Sequence, residues 1–201
     1  MTAQQVIEQA YRELGYIGKK SAAELDDKLT NVVGKYTKYA RDLYDAGFYN
    51  GNKNGYDWCC VFVDWLFYII GGSKDAVAAV KPLYDLGAGV YWARKAYADN
   101  KRLSDKPIAG AQIFFKDNAG RSTHTGFVVS VSGDRIRTIE GNISNSVVER
   151  EYSINDSRIN GFGIPLYDDP EPVDELKAKL TAIRIALTKI VEEIGDITES
   201  L

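Results

Sequence analysis

The chain contains one histidine, His124, and only two cysteines, Cys59 and Cys60, which are neighbours. Adjacent cysteines cannot staple distant segments, and a bridge between them would be strained, so a disulfide scaffold is excluded. With a single imidazole, zinc sites built from several Cys and His ligands are nearly excluded as well. Any chemistry that needs an imidazole has to use His124. Positive charge is scarce too: 25 Lys and Arg stand against 28 Asp and Glu, a formal net charge of -3, where a nucleic-acid binder would show a basic stripe. No apolar run reaches the ~18 residues that span a bilayer, and the longest candidate, residues 61–70, is interrupted by Asp64. Neither a nucleic acid nor a membrane is therefore expected as a partner. The opening residues, Met1-Thr2-Ala3-Gln4-Gln5, carry no basic residue and lead into no apolar stretch, so no secretory signal is expected. The chain should stay in a cytoplasm or leave it by a route that needs no signal.

What is present suits one compact domain with a small appendage. There are 201 residues, 45% of them hydrophobic, which is enough chain to bury a real core. Residues 2–14 place Val6, Ile7, Ala10, Tyr11 and Leu14 at helical spacing, and Gly15 stops the pattern. A short helix is expected within residues 22–29, and a longer one over 36–46 ending at Gly47. An Asn- and Gly-rich loop over 49–56 follows, after which Asp57 is placed to cap the next helix. That helix carries Phe62, Val63, Leu66, Phe67 and Ile70 and closes at Gly71-Gly72. Further helical stretches fall near 74–80 and 90–98.

The pattern then changes. Residues 111–115 and 123–131 read as strands, and Ser132-Gly133-Asp134 forms a hairpin turn into a strand over 135–139. Residues 147–152 and 162–166 complete an antiparallel sheet. Helices first and strands after is an α+β arrangement. The domain spans residues 1–167, and the two prolines of 168–172 make that stretch a linker. Beyond it, residues 173–201 hold Val173, Leu180, Leu187, Ile194 and Leu201 at heptad position a, and Leu176, Ile183, Ile190 and Ile197 at d. Leu at a with Ile at d favours trimers or tetramers when the strands are parallel. The alternative is an amphipathic helix folded back on its own domain; the proline linker and unbroken seam favour a homo-oligomer.

Cys59 and His124 are the residues from which chemistry could be built. Cys59 opens a strongly predicted helix, whose unpaired N–H groups form a positive end that stabilises a thiolate. Both cysteines could equally be small core residues. His124 begins an apolar strand, where a side chain at a sheet rim can face a cleft. At the end of the next strand stand Glu140 and Asn142, and a tight hairpin brings them near His124. A polar group there could accept from the distal ring nitrogen and turn the other nitrogen toward a thiol.

These residues carry a resemblance. Trp58-Cys59-Cys60-Val61-Phe62-Val63 resembles the Trp-Cys-Ala-x-Phe-Val nucleophile motif of CHAP domains, the cysteine, histidine-dependent amidohydrolases/peptidases. His124-Thr125-Gly126-Phe127-Val128-Val129 is similar to their His-x-Gly-hydrophobic strand, and Ile139-Glu140-Gly141-Asn142 to their Glu-Gly-Asn segment. The order Cys, His, Glu, Asn matches as well. Cys60 stands where the family has a small residue or Asp, and Gly110-Ala111-Gln112 lacks the Asp of the family's Gly-Asp strand motif, which should alter only a local turn.

The resemblance implies a papain-like fold over residues 1–167, with Cys59 as nucleophile, His124 as base, Glu140 orienting the imidazolium and Asn142 supporting it. It implies acyl transfer on an amide, with the oxyanion held partly by the Cys59 backbone N–H. Tyr56, Trp58 and Trp92 are expected along the substrate groove, although packing within an aromatic helix accounts for Trp92 as well. Some CHAP domains bind calcium through spaced aspartates; here the loop before Cys59 is Asn-rich and Asp26-Asp27 are merely adjacent, so no metal and no cofactor is expected. The N-terminal half is most similar to bacteriophage endolysins and prophage lysins, which implies peptidoglycan as partner, cleaved as an amidase or endopeptidase would, after waiting in the host cytoplasm. A non-lysin cysteine protease or antibacterial toxin, and a catalytically silent wall-binding module, are the alternatives.

Overall fold

The computed structural model describes residues 1–28, 33–84 and 87–168, together with Leu187 and Ile190. In chain order the elements are α1 (Ala3–Arg12), α2 (Lys38–Asp45), α3 (Cys59–Gly71), α4 (Lys74–Val80), α5 (Val90–Asp99), β1 (Leu103–Ser104), β2 (Gln112–Lys116), β3 (Ser122–Ser132), β4 (Arg135–Ile143), β5 (Ser146–Ser153) and β6 (Ile159–Gly163). Contacts divide the chain into two units, Met1–Tyr167 and Asp168–Leu201. Of the heptad seam only Leu187 and Ile190 are described, and both are helical; the rest lies outside the described residues.

Short polar side chains start three of the helices. Thr2 accepts from the Gln5 N–H while the Gln5 side chain accepts from the Thr2 N–H, a reciprocal box that satisfies two otherwise orphaned donors. Thr37 and Ser73 cap α2 and α4 in the same way, through the N–H groups of Ala40 and Ala76. The helix expected within residues 22–29 does not form over its described part, which runs as turns. There Ser21 accepts from the Ala23 N–H, and Glu24 takes a positive φ of 59°. Such local bonds compete with the helical ladder.

The strands form one six-stranded sheet in the order β1-β6-β2-β3-β4-β5, with antiparallel pairing throughout. β1 escaped the sequence pattern because two residues carry no periodicity. β6 begins at Ile159 rather than at 162, opposite Phe115.

α3 is the centre of the domain. Its first nine residues, from Cys59 to Phe67, are all buried. A helix apolar on every side needs cover on every side, and α1, α2 and α4 supply it together with β3 and β4. Phe127, Val129 and Ile139 of the sheet pack into this core, whereas Val128 and Ile136 belong to a second cluster with Ile113, Phe115, Tyr152 and Phe162. The alternation has period two. It therefore assigns His124 and Gly126 to the face of Val128, and Thr138 and Glu140 to the face of Ile136.

Asp64, the one charge inside α3, is not exposed. It pairs with the equally buried Lys81 at 2.7 Å and accepts from the Tyr49 hydroxyl at 2.6 Å. A buried carboxylate requires such partners.

Candidate active site

Cys59 is the first residue of α3 and is 4% exposed. The residue at the cap position is Trp58, and no side chain caps the helix. The expected cap by Asp57 is thus corrected: its carboxylate pairs with Lys35 at 2.7 Å and accepts from the Asn142 amide at 3.1 Å. These two bonds, Lys35 first, hold the Asp57 carboxyl below its usual range. The consequence at α3 is that no side-chain oxygen competes for the N–H groups of its first turn, which a helix leaves unpaired.

Register brings the histidine to the glutamate. Phe127 pairs with Ile139 across β3 and β4, so one step along the ladder sets Gly126 against Glu140. A Cβ at Gly126 would lie 2.5 Å from the Glu140 Cγ. The bare backbone at 126 lets the Glu140 side chain run across β3 to His124, where its Oε2 stands 2.8 Å from the ring Nε2. The glycine two residues after the histidine is therefore part of the site's geometry. Gly141 plays a parallel part on the opposite face. A Cβ there would meet the Phe62 Cβ at 2.6 Å and the Trp58 Cζ3 at 2.8 Å. β4 consequently sits directly on the first turn of α3, which sets the head of that helix beside the strand carrying Glu140.

The His124 imidazole is hydrogen-bonded to Glu140 through Nε2 at 2.8 Å, and the Cys59 sulfur lies near enough to act on the ring's charge. With Nε2 on Glu140, Nδ1 is the nitrogen left for the sulfur. Burial alone would push the ring's pKa down, but Cys59 and Glu140, with the negative charge on each, outweigh it and raise the value to about 9. The ring also stacks on Phe115, with centroids 5.7 Å apart and planes inclined by 26°.

Glu140 is completely buried, which penalises its charge, yet its carboxyl is held below the usual range. The compensating donors are His124 at 2.8 Å and Thr138, whose Oγ1 donates to Oε1 at 2.6 Å, with Tyr152 close by. Thr138 and Tyr152 were not singled out from sequence. Thr138 was findable, since two residues before Glu140 on a strand is the same face; Tyr152 required the fold of β5.

The remaining expected site residues separate. Asn142 takes a left-handed φ of 66°, and its amide donates to Asp57, on the loop before Cys59, at 3.1 Å. Trp58 is 0% exposed, packed against Tyr16 at 6.4 Å and Tyr39 at 5.7 Å, and is a core residue rather than a groove wall. Tyr56 is 67% exposed on the loop leading to Cys59. Trp92 is half-buried, stacked on Tyr84 at 4.8 Å with Tyr91 edge-on to it.

The two thiols are also distinguished. Cys60 packs against Ala93, Tyr97 and Phe114, and burial, followed by the nearby Asp64 charge, pushes its thiol pKa well up. Among the described residues no group of three or more His, Cys, Asp or Glu side chains converges as metal ligands would. Asp26 instead takes both guanidinium nitrogens of Arg41 at 2.7 and 2.8 Å. A thiol, an imidazole and a buried carboxylate in sequence, beside unpaired backbone N–H groups, can generate a thiolate and shuttle a proton.

Residues 51–142 match the family model of the CHAP domain. No curated protein matches the chain. Among solved structures, it is similar to one described as "The crystal structure of Ly7917", with 14% identity and a TM-score of 0.47, covering 82% of this chain and 62% of that one. A second, described as "The crystal structure of Ly7917 with the hydrolyzing product of MDP", gives 14% identity and a TM-score of 0.48, with 82% and 63% coverage. The chain thus spans less than two thirds of the length of the structures it matches.

Proposed function

We propose that the protein is a CHAP-type cysteine hydrolase that cuts an amide bond of bacterial peptidoglycan; the match of residues 51–142 to the CHAP family model supports this reading. The observation that carries the reading is the buried Glu140 carboxylate 2.8 Å from His124 Nε2, which leaves the other ring nitrogen for the Cys59 sulfur. In the proposed reaction the Cys59 thiolate attacks the amide carbonyl and the N–H groups at the head of α3 stabilise the oxyanion. His124 gives its proton to the departing amine, leaving a thioester on Cys59. Water then attacks the thioester as His124 takes the water's proton, releasing the acid and restoring the pair. Glu140 keeps the ring oriented and stabilises its charge throughout.

The setting is that of a phage or prophage lysin, and the domain ends near residue 167. In the same reading residues 173–201 form an oligomerising helix, whose described seam members Leu187 and Ile190 expose 57% and 51% of their surface. Several catalytic heads on one assembly would gain avidity on a repetitive wall. Sedimentation at micromolar concentration should give a trimer or tetramer for the full chain; a monomer would remove the oligomer from the proposal.

Digestion of purified Gram-positive walls tests the activity. Mass spectrometry should find soluble fragments bearing either a freed L-alanine amine, as an amidase leaves, or a freed cross-bridge amine, as an endopeptidase leaves. Intact walls together with cleavage of protein substrates would move the assignment to a protease or toxin. Binding to walls with no cleavage of either would make the chain a silent module.

A further inference from the structure

We propose that Thr138 and Tyr152 are positioning residues, which hold Glu140 ionised and aimed at His124 in the interior of the sheet. The inference rests on reading His124 as the imidazole of the reactive pair, but not on any choice of substrate. Glu140 has no contact with solvent, so water cannot supply the hydrogen bonds that an ionised carboxylate needs. One oxygen, Oε2, is engaged by the ring at 2.8 Å. The other, Oε1, accepts from the Thr138 hydroxyl at 2.6 Å, a length typical of a charge-assisted O–H···O bond. Without that donor Oε1 would lose its one geometrically placed partner among the described residues, and the carboxyl group could rotate or take up a proton.

Tyr152 approaches the same carboxylate from β5, where burial and then the Glu140 charge push its hydroxyl pKa up. Its ring is itself fixed. It packs on Phe115 with centroids 4.9 Å apart, and Phe115 in turn stacks on His124 at 5.7 Å. The guanidinium groups of Arg150 and Arg158 lie over the Tyr152 ring at 5.7 and 5.4 Å. One aromatic stack therefore fixes both the imidazole and the phenol that meet at Glu140. The charged or titratable neighbours of this carboxylate are His124 from β3, Tyr152 from β5, and, across the Tyr152 ring, Arg150 and Arg158. Thr138 adds a neutral hydroxyl from β4 itself.

Because His124 is the chain's only histidine, its ring gives one set of resonances. The Nε2–H proton, bonded to Glu140, reports when that carboxylate takes up a proton. The test follows this signal by NMR through the acid range in the full chain. In the wild type its transition should lie below pH 4.5, the ordinary glutamate value. Tyr152→Phe removes a single oxygen, and Thr138→Val removes the donor to Oε1 at nearly constant volume. Each should move the transition upward by about one pH unit. Thr138→Ser, which keeps the hydroxyl, should leave it near the wild-type position.

An unchanged transition in Tyr152→Phe, with the variant folded, would overturn the role of Tyr152. If Thr138→Val fails to fold, Thr138→Ala against Thr138→Ser decides, and equal midpoints would overturn the role of Thr138. A residue that only stabilised the sheet would lower the melting temperature without moving this transition. No wall substrate enters the measurement, so an error in the proposed substrate would show in the digestion assay and leave this result standing.

Discussion

Cys59→Ala is expected to abolish the proposed hydrolysis, and Cys60→Ala to leave it within a few-fold of wild type. The two thiols are adjacent in sequence but separated by about 100° around a helix, and their surroundings differ accordingly. Cys59 is at the head of α3 close to the His124 ring, whereas Cys60 is 1% exposed among Ala93, Tyr97 and Phe114. Removing the only sulfur within reach of the imidazole removes the covalent path. The expected loss in kcat/KM is on the order of 10³-fold or more. Removing the Cys60 sulfur opens a small cavity in a packed layer, costing roughly 1 kcal/mol of stability without touching the reacting atoms. Fragment release from walls measures the first effect, and a thermal melt measures the second. Iodoacetamide labelling gives an answer independent of substrate, since only Cys59 should react in the folded chain. Equal loss in both variants would sink the assignment.

Glu140→Gln is expected to lower kcat by on the order of 10³-fold, because an amide of the same size can present a donor to Nε2 and favour the wrong tautomer. The corresponding Asp→Asn change in a Ser-His-Asp triad has a comparable effect. It also removes a negative charge that keeps the proton on His124. In the wild type that charge and Cys59 overcome the penalty of burial and raise the ring's pKa from 6.5 to about 9. Activity that needs the imidazolium should therefore fall as pH rises through about 9. In Glu140→Gln the alkaline limb should move down, toward 6.5. The same sign governs stability. A proton held more tightly in the folded state contributes stability that is complete below the unfolded value of 6.5 and is lost as pH climbs through about 9. A pH–rate profile with the alkaline limb in the same place for both proteins would sink this account.

Much of this site could be read along the chain, for identifiable reasons. The Trp-Cys pair before an apolar run, the histidine at the start of a strand and the Glu-Gly-Asn segment are all local. A two-residue periodicity and a short hairpin are enough to bring positions 124 and 140 together. The scarcity of histidine and cysteine left few other candidates. Roles that depend on which way a side chain turns were less legible. Asp57 has the residue type of a helix cap, yet a lysine 22 positions earlier in the chain takes its carboxylate. Asn142 sits in the expected segment, but its left-handed backbone turns the amide to Asp57. Trp58 adjoins the thiol in sequence and is nonetheless sealed between Tyr16 and Tyr39.

The α+β order, the helix that presents Cys59, and the candidacy of His124 and Glu140 were determined by sequence alone, because spacing and residue type act over a few neighbouring positions. Only the tertiary structure decided that Cys60 is sealed among Ala93, Tyr97 and Phe114, and that Gly126 and Gly141 are the points where strand, helix and carboxylate approach too closely for a side chain. It also placed Tyr152 of β5 beside Glu140, where no local pattern could have put it. Those outcomes depend on register between strands and on the seating of β4 against α3. Both are set by long-range packing, where contacts between residues far apart in the chain outweigh any local preference.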